Sequence, residues 1–140
     1  MAFVIGEIKT VERKVEFDLP SSVGKPKRKA DFVVELTVRD DATVKARRKA
    51  VQEYLAKLNR EMELARGDRN YTPTIDDQNF DDEYLREDVV NIKGVRDESG
   101  NDLEFSAQLL DAILLDRPAR SALLDVWAEL NSDKALKRKN

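Results

Sequence analysis

The chain has 140 residues, a net charge of −3 and 38% charged residues, and it contains neither cysteine nor histidine. This length predicts a single domain with a modest core. The missing residue types exclude disulfides and thiolate metal sites, and they remove the commonest general base and metal ligand. We therefore expect no enzyme activity, cofactor or metal. No apolar run approaches the roughly 18 residues of a membrane span, so we expect a soluble, intracellular protein.

Charge is divided unevenly along the chain. Residues 1–70 carry 16 Lys/Arg and 12 Asp/Glu, whereas residues 71–140 carry 9 and 16. A dipolar chain of this kind can associate with itself or bind two unlike partners. Chance variation between the two halves explains the difference equally well. If the uneven charge serves self-association, we expect weak homo-oligomers.

The N-terminal part has the residue pattern of β-strands. Apolar residues recur at near-alternate positions among charged ones from Val11 to Leu19, and apolar residues occupy every second position from Phe32 to Val38. This period of two, with many β-branched and aromatic residues, predicts strands. Residues 20–30 break the pattern with proline, glycine and basic residues. We predict an antiparallel ribbon of residues 14–19 and 31–38 with a mobile basic tip.

A long helix is expected next, beginning near Asp41 and ending at Gly67. Its apolar residues repeat every seven positions, with two at intermediate positions: Val44, Val51, Leu58 and Ala65, then Leu55 and Met62. This spacing predicts an amphipathic helix of about 25 residues, capped by Asp40, Asp41 or Thr43. Basic residues at 45–49 lie at the positive end of the helix dipole, which is unfavourable. Either a solvated face or a bound partner accounts for them.

Seven acids between Asp76 and Asp88 suggest a calcium loop. Such a loop needs a mid-loop glycine and a closing bidentate Glu at fixed spacing, and that pattern is missing. The stretch from Phe80 to Val89 instead predicts a helix of about 10 residues, whose first-turn acids suit its dipole. The polar residues 68–79 before it predict a linker.

The C-terminal third predicts a turn and two short helices. Residues 97–101 form a polar turn in a predicted small hairpin. Ser106 can cap a Leu-rich helix, and Asp116 can cap a second helix with Pro118 in its first turn. Trp127, the only tryptophan, lies on the apolar side of that last helix.

The predicted fold class is α+β, with a small N-terminal antiparallel β-sheet followed by a mostly helical C-terminal part. A single domain spans 1–140: a β-rich part at 1–39, a helical part at 40–133 and a frayed basic tail at 134–140. The predicted core consists of Phe32, Val34, Leu36, Leu55, Leu58, Leu85, Val89, Leu110, Leu114, Leu123 and Trp127.

The ribbon tip carries a basic patch, composed of Lys25, Lys27, Arg28 and Lys29. It suits a solvated loop, a contact with an acidic protein or a contact with phosphates. No aromatic residue is interleaved to stack on bases, and the acidic net charge opposes duplex binding. Nucleic acid is therefore the least favoured of the three.

The order of these elements resembles that of the tail assembly chaperones of long-tailed bacteriophages (siphophages), which include the lambda-like frameshifted chaperones. The residues that carry the resemblance are Leu85, Val89, Gly94-Val95, Asp97, Gly100-Asn101, Phe105-Ser106, Arg117-Pro118, Trp127 and the basic ending 137–140. Ile92 stands where the family has an aromatic residue, and the helix at 41–66 is longer and more charged than the family suggests.

The resemblance implies a binding function. Members of this family coat the tape measure protein, a long and largely helical phage protein, and keep it soluble in the host bacterial cytoplasm. They leave before the mature virion forms, and a longer frameshifted product often recruits the tail tube protein. Short amphipathic helices can accept such a helical partner in a groove. The alternative is a small adaptor or regulator that binds nucleic acid through the basic hairpin. Predicted partner-binding residues are Val44, Val51, Leu55, Leu58, Met62, Leu109, Ile113 and Leu115, with Lys25, Lys27, Arg28 and Lys29.

Overall fold

The computed structural model describes residues 2–132, in which a three-stranded antiparallel sheet packs against helices. The elements in chain order are β1 (Lys9–Leu19), β2 (Arg28–Val38), α1 (Asp41–Gly67), α2 (Phe80–Asp88), β3 (Val89–Lys93), α3 (Ala107–Leu115) and α4 (Arg117–Asn131). The α+β prediction is confirmed. The tail predicted at 134–140 lies outside the described residues.

β1 and β2 form the predicted antiparallel ribbon. Their register runs from the pair Lys9↔Val38 to the pair Leu19↔Arg28, so the strands are longer than the predicted ones. Because side chains alternate across a strand, one face of the ribbon is apolar and lies under the helices, and Val15 on that face is fully buried.

β3 is a strand that the sequence analysis did not predict. It follows α2 without an intervening residue and pairs antiparallel with β2. The sequence pattern predicts Val89 at the end of the preceding helix, but that helix ends at Asp88. In the strand conformation, Val89 and Ile92 both reach the core, and β-branched residues suit a half-buried strand.

α1 contacts the rest of the domain mainly near its N-terminal end. Asp40 caps it by accepting a hydrogen bond from the backbone N–H of Thr43 at 2.8 Å, and Val44 is its buried residue. Its second half packs against the polar residues 68–79, which run back along it. Tyr54 donates a hydrogen bond to the carbonyl oxygen of Asp76 at 3.0 Å, and Tyr71 donates one to the carboxylate of Glu61.

This arrangement contradicts part of the predicted core. Leu55 is 49% exposed and Leu58 is only half-buried. The reason is that this half of α1 lies along the returning polar segment instead of the sheet. The other nine predicted core residues are buried between the sheet and helices α2, α3 and α4. Core residues that the prediction omitted are Val15, Val44, Ile92, Leu109, Ile113 and Ala119.

Candidate functional site

An open groove of about 380 Å³ lies between α1, α2 and the C-terminal end of α4. We call it the α1 groove. Its α1 side is formed by Val44, Arg47, Arg48, Val51 and Leu55, which recur every three or four residues, and its opposite side includes Tyr84 and Trp127. Three of the predicted contact residues, Val44, Val51 and Leu55, therefore lie together here. Val44 is nearly buried at its base.

One carboxylate, that of Asp88, organises the region beneath the groove. Asp88 is the last residue of α2 and is fully buried. It accepts hydrogen bonds from Nη1 and Nη2 of Arg47, each at 2.8 Å, and from Nε of Arg39 at 2.7 Å. Trp127 Nε1 donates to it at 2.8 Å and Asn131 Nδ2 at 3.1 Å. These donors come from α1, α4 and the residue after β2, so a single side chain joins four parts of the fold.

The donors keep this buried acid ionised. Burial by itself would raise the pKa of Asp88, but the hydrogen bonds from Arg47, Arg39 and Trp127 outweigh it and hold the pKa below its ordinary value. The hydrogen bond to Asp88 likewise raises the pKa of Arg47. An ionised, fully hydrogen-bonded carboxylate serves here as a structural support, because every lone pair that faces the interior already has a donor.

Arg47 connects this network to the groove. Its guanidinium carbon lies 4.5 Å from the ring centroid of Tyr84, and its Nη2 also bonds to Glu87 at 3.0 Å. Burial raises the pKa of Tyr84 further above its ordinary value near 10. The groove consequently has aromatic surface on one side and a fixed cation within it, an arrangement suited to binding.

The apolar stripe of α1 continues beyond the groove. Leu55 and Met62, two helical turns apart on the same side, are 49% and 47% exposed. Val51 and Leu58 are half-buried beside them. Leu64, also exposed, lies on the opposite side of the helix from Leu55. The predicted contact residues of α1 thus form one stripe that the described domain leaves partly uncovered.

The predicted contact residues of α3 do not form such a surface. Leu109 and Ile113 are core residues that show only an edge to a second groove, of about 390 Å³, beside Phe17 and Phe32. Leu115 is 87% exposed and does not line that groove. They separate because Leu109 and Ile113 are four residues apart on one face of α3, whereas Leu115, two residues after Ile113, lies about 200° further round the helix.

The predicted basic patch is at the far end of the ribbon. Lys25, Lys27, Arg28 and Lys29 are all exposed. The tip is a turn in which the backbone N–H of Lys25 donates to the carbonyl oxygen of Ser22 at 3.1 Å, and Gly24 has a φ of 84°. In the described part of the chain these four cations form no ion pair with an acidic side chain. The α1 groove, the second groove and the basic tip are separate places.

The sequence analysis missed the polar centre of the site, Asp88 and Asn131. Asp88 is one of seven acids in its stretch, and nothing in its spacing distinguishes it. One indirect signal existed in the basic residues at 45–49. Cations at the positive end of a helix dipole need a counter-charge, and for Arg47 that counter-charge is Asp88.

Among residues 2–132, no group of three or more acidic side chains is placed to hold a metal ion. Several acids of the run 76–88 instead form ion pairs with basic side chains, as Asp82 does with Arg120 at 2.8 Å. No helix within the same described range is long and apolar enough to cross a membrane.

No family model matches this chain, and comparisons with curated proteins and with solved structures give no match either. The resemblance to tail assembly chaperones therefore stays a prediction that depends on the motif residues named above.

Proposed function

We propose that this protein is a bacteriophage tail assembly chaperone that binds and solubilises the tape measure protein in the host cytoplasm. The observation that carries the proposal is the apolar stripe of α1, a 27-residue helix on which Leu55 and Met62 stay about half exposed. Contiguous exposed apolar surface marks interaction sites. A long helical client offers a matching apolar stripe, and the sequence resemblance supports this choice of client.

The charged setting of the stripe suits a complex that must later dissociate. Apolar burial provides the attraction, while the many surrounding charges keep the chaperone soluble and make the contact sensitive to salt. The client is released as the tail tube polymerises, so the chaperone is absent from the mature virion. Weak homo-oligomers, and a frameshifted longer product that recruits the tail tube protein, belong to the same proposal.

Co-expression tests this function. The chain is produced together with the tape measure protein proposed as its client, and the soluble yield of that client is measured. We expect a clear rise with the parent chain and a smaller one with the double variant Leu55→Asp/Met62→Asp. The variant Leu64→Asp, exposed on the opposite side of α1 from Leu55, should behave like the parent. If the client stays insoluble, and neither pull-down nor light scattering detects a complex, the chaperone proposal is rejected.

The exposed basic tip favours a second candidate function, that of a small adaptor binding nucleic acid. Lys27 and Lys29 would contact phosphates, and the affinity would fall as salt rises. A mobility shift of labelled DNA or RNA that disappears in Lys27→Glu/Lys29→Glu supports this candidate. Absence of any shift at low salt rejects it.

A further inference from the structure

We propose that this protein binds a second copy of itself through opposite charges, with the basic tip of one copy on an acidic segment, residues 76–83, of the next. The inference deepens the proposed function, because it names the two surfaces that form the weak homo-oligomers, and it rests on that function for the role of the contact. Two observations carry it. Each surface keeps charges that the fold leaves without a counter-charge, and the two surfaces match in number and are opposite in sign.

The basic tip stands clear of the rest of the fold. Residues 18–29 contain four basic residues and one acid, Asp18. Asp18 lies opposite Lys29 in the strand register, but among residues 2–132 no ion pair joins it to any of the four cations. A hollow of about 430 Å³ at the tip is lined only by residues between 20 and 28. The four cations therefore face solvent with no other element of the domain packed over them.

The acidic segment comprises the last residues before α2 and the first turn of that helix. It contains five acids and no basic residue. Asp82 pairs with Arg120 at 2.8 Å, so the fold neutralises one of the five. The acids that follow are also paired, since Glu87 and Asp88 both bond to Arg47. The remaining four acids of the segment are exposed and form no ion pair within the described range: Asp76, Asp77, Asp81 and Glu83.

A second copy is the partner for which the chain carries both surfaces. Within one molecule, no ion pair of the described residues joins the tip to the acidic segment, so each surface is available to another copy. Four exposed cations then meet four exposed carboxylates, and such complementary charge favours association. Nucleic acid fits the tip less well, because no aromatic side chain lines it to stack on bases.

The contact is heterologous, because two different surfaces meet. One unused surface of each kind stays free at the ends, so copies form chains or a closed ring instead of a symmetric pair. Asp81 also lines the α1 groove, and a tip bound at the acidic segment consequently lies beside the surface proposed for the client. Copies that touch while bound to one long client gain overall affinity over isolated copies.

Two charge-reversed variants of the full chain test the contact. Lys27→Glu/Lys29→Glu reverses half of the tip, and Asp76→Lys/Asp77→Lys reverses the two acids that precede α2. In sedimentation velocity at low salt, the parent should associate weakly. Each variant alone should have a dissociation constant for self-association at least about tenfold higher.

A mixture of the two variants gives the sharpest result. The intact tip of one variant meets the intact acidic segment of the other, so we expect a heterodimer in the equimolar mixture. It should grow no further, because each remaining surface then holds two charges of either sign. A mixture that stays monomeric would overturn the inference.

Two control variants change the net charge by the same amounts at other exposed positions. They are Lys57→Glu/Arg60→Glu on α1 and Glu98→Lys/Glu104→Lys in and after the polar turn. Both should associate like the parent, and circular dichroism verifies that all four double variants fold. Equal losses of association in the controls and the test variants would show that net charge, and not these surfaces, is responsible.

Salt and competing contacts supply the other decisive outcomes. The association should disappear toward 1 M salt, where charges are screened beyond about 3 Å. Association that persists there, or that Leu55→Asp abolishes while reversal of the tip does not, would assign the contact to the apolar stripe of α1 and overturn the inference. A parent that stays monomeric at low salt but shifts labelled DNA or RNA through Lys27 and Lys29 would assign the tip to nucleic acid, which also overturns it.

These measurements need no client, so they separate the inference from the proposed function. If the two variants form the heterodimer but the tape measure protein stays insoluble with the parent, the contact holds and the chaperone function is rejected. If the parent solubilises the client without associating with itself, the chaperone function holds and this inference is rejected.

Discussion

Trp127 donates its indole N–H to the carboxylate of Asp88 at 2.8 Å, which joins α4 to the end of α2 inside the core. The ring of Trp127 thereby fills apolar space in the core, and its N–H supplies one of the hydrogen bonds that the buried carboxylate of Asp88 needs. This pair, with Arg47, links the stability of the domain to the shape of the α1 groove.

Removing the charge of Asp88 should be severely destabilising. Asp88→Asn leaves Arg47 and Arg39 beside a neutral amide whose NH₂ group cannot accept their hydrogen bonds. We expect a loss of about 3–5 kcal/mol in the free energy of unfolding, measured by urea denaturation. The matched control is Glu87→Gln, which neutralises the adjacent, solvent-exposed partner of Arg47 and should cost about 1 kcal/mol or less. Similar losses in both variants would contradict the central role of Asp88.

The indole N–H can be tested apart from the ring. Trp127→Phe keeps most of the apolar volume but removes one donor to Asp88, so we expect a loss of about 1–3 kcal/mol. Trp127→Ala also leaves a cavity and should cost roughly 3–5 kcal/mol. The parent should emit at a shorter wavelength than tryptophan in water, because only 5% of the residue is exposed. A fully water-like emission maximum in the folded protein would refute this placement.

Stability should depend on pH through Asp88 in a predictable direction. Its pKa is lower in the folded protein than the value of about 3.9 expected when unfolded. The unfolded state therefore binds the proton first, so the stabilisation is complete above that value and is lost as pH falls through the folded pKa. We expect the free energy of unfolding to drop below about pH 4 more steeply in the parent than in Asp88→Asn. Parallel pH profiles for the two proteins would show that another group is responsible.

Leu55 and Leu123 should respond differently to truncation, although both are leucines in helices. Leu123 is fully buried, so Leu123→Ala should cost about 2–5 kcal/mol. Leu55→Ala removes a half-exposed side chain and should cost less than about 1 kcal/mol. Chemical denaturation measures both. A large cost for Leu55→Ala would mean that the groove closes over this residue in solution.

Divalent cations should leave the melting temperature nearly unchanged. A ligand that prefers the folded state must raise the melting temperature. We expect no such ligand among these metal ions, because acids of the run 76–88 such as Asp82 and Asp88 already pair with basic side chains. Thermal melts with excess calcium, magnesium or zinc test this. An increase of many degrees with millimolar calcium would show that the acidic run holds an ion.

The sequence predicted the regular elements of the fold well where local pattern and tertiary packing agree. The alternation in β2 and the caps Ser106 and Asp116 are local signals, and each is observed. The heptad pattern of α1 correctly predicted a helix, but a pattern cannot tell which turns of a helix meet the sheet. Leu55 was for that reason placed in the core.

The polar core could not be predicted from local signals. Asp88 lies between a helix and a strand, and its five donors come from residues 39 to 131. A buried carboxylate is identified only when its partners are known to converge, and that convergence is a property of the tertiary structure. The same holds for β3, since Val89–Lys93 becomes a strand by pairing with β2.

The return of residues 68–79 along α1 has a consequence for local stability. The backbone hydrogen bonds in the second half of α1 are protected by a polar segment and by contacts such as Tyr54 with Phe80, whose ring centroids are 5.4 Å apart. Those of α4 lie against the core. In amide hydrogen exchange, the second half of α1 should therefore exchange through local opening, well before α4 exchanges through global unfolding. One side of the groove would then open locally while the side formed by Tyr84 and Trp127 remains folded.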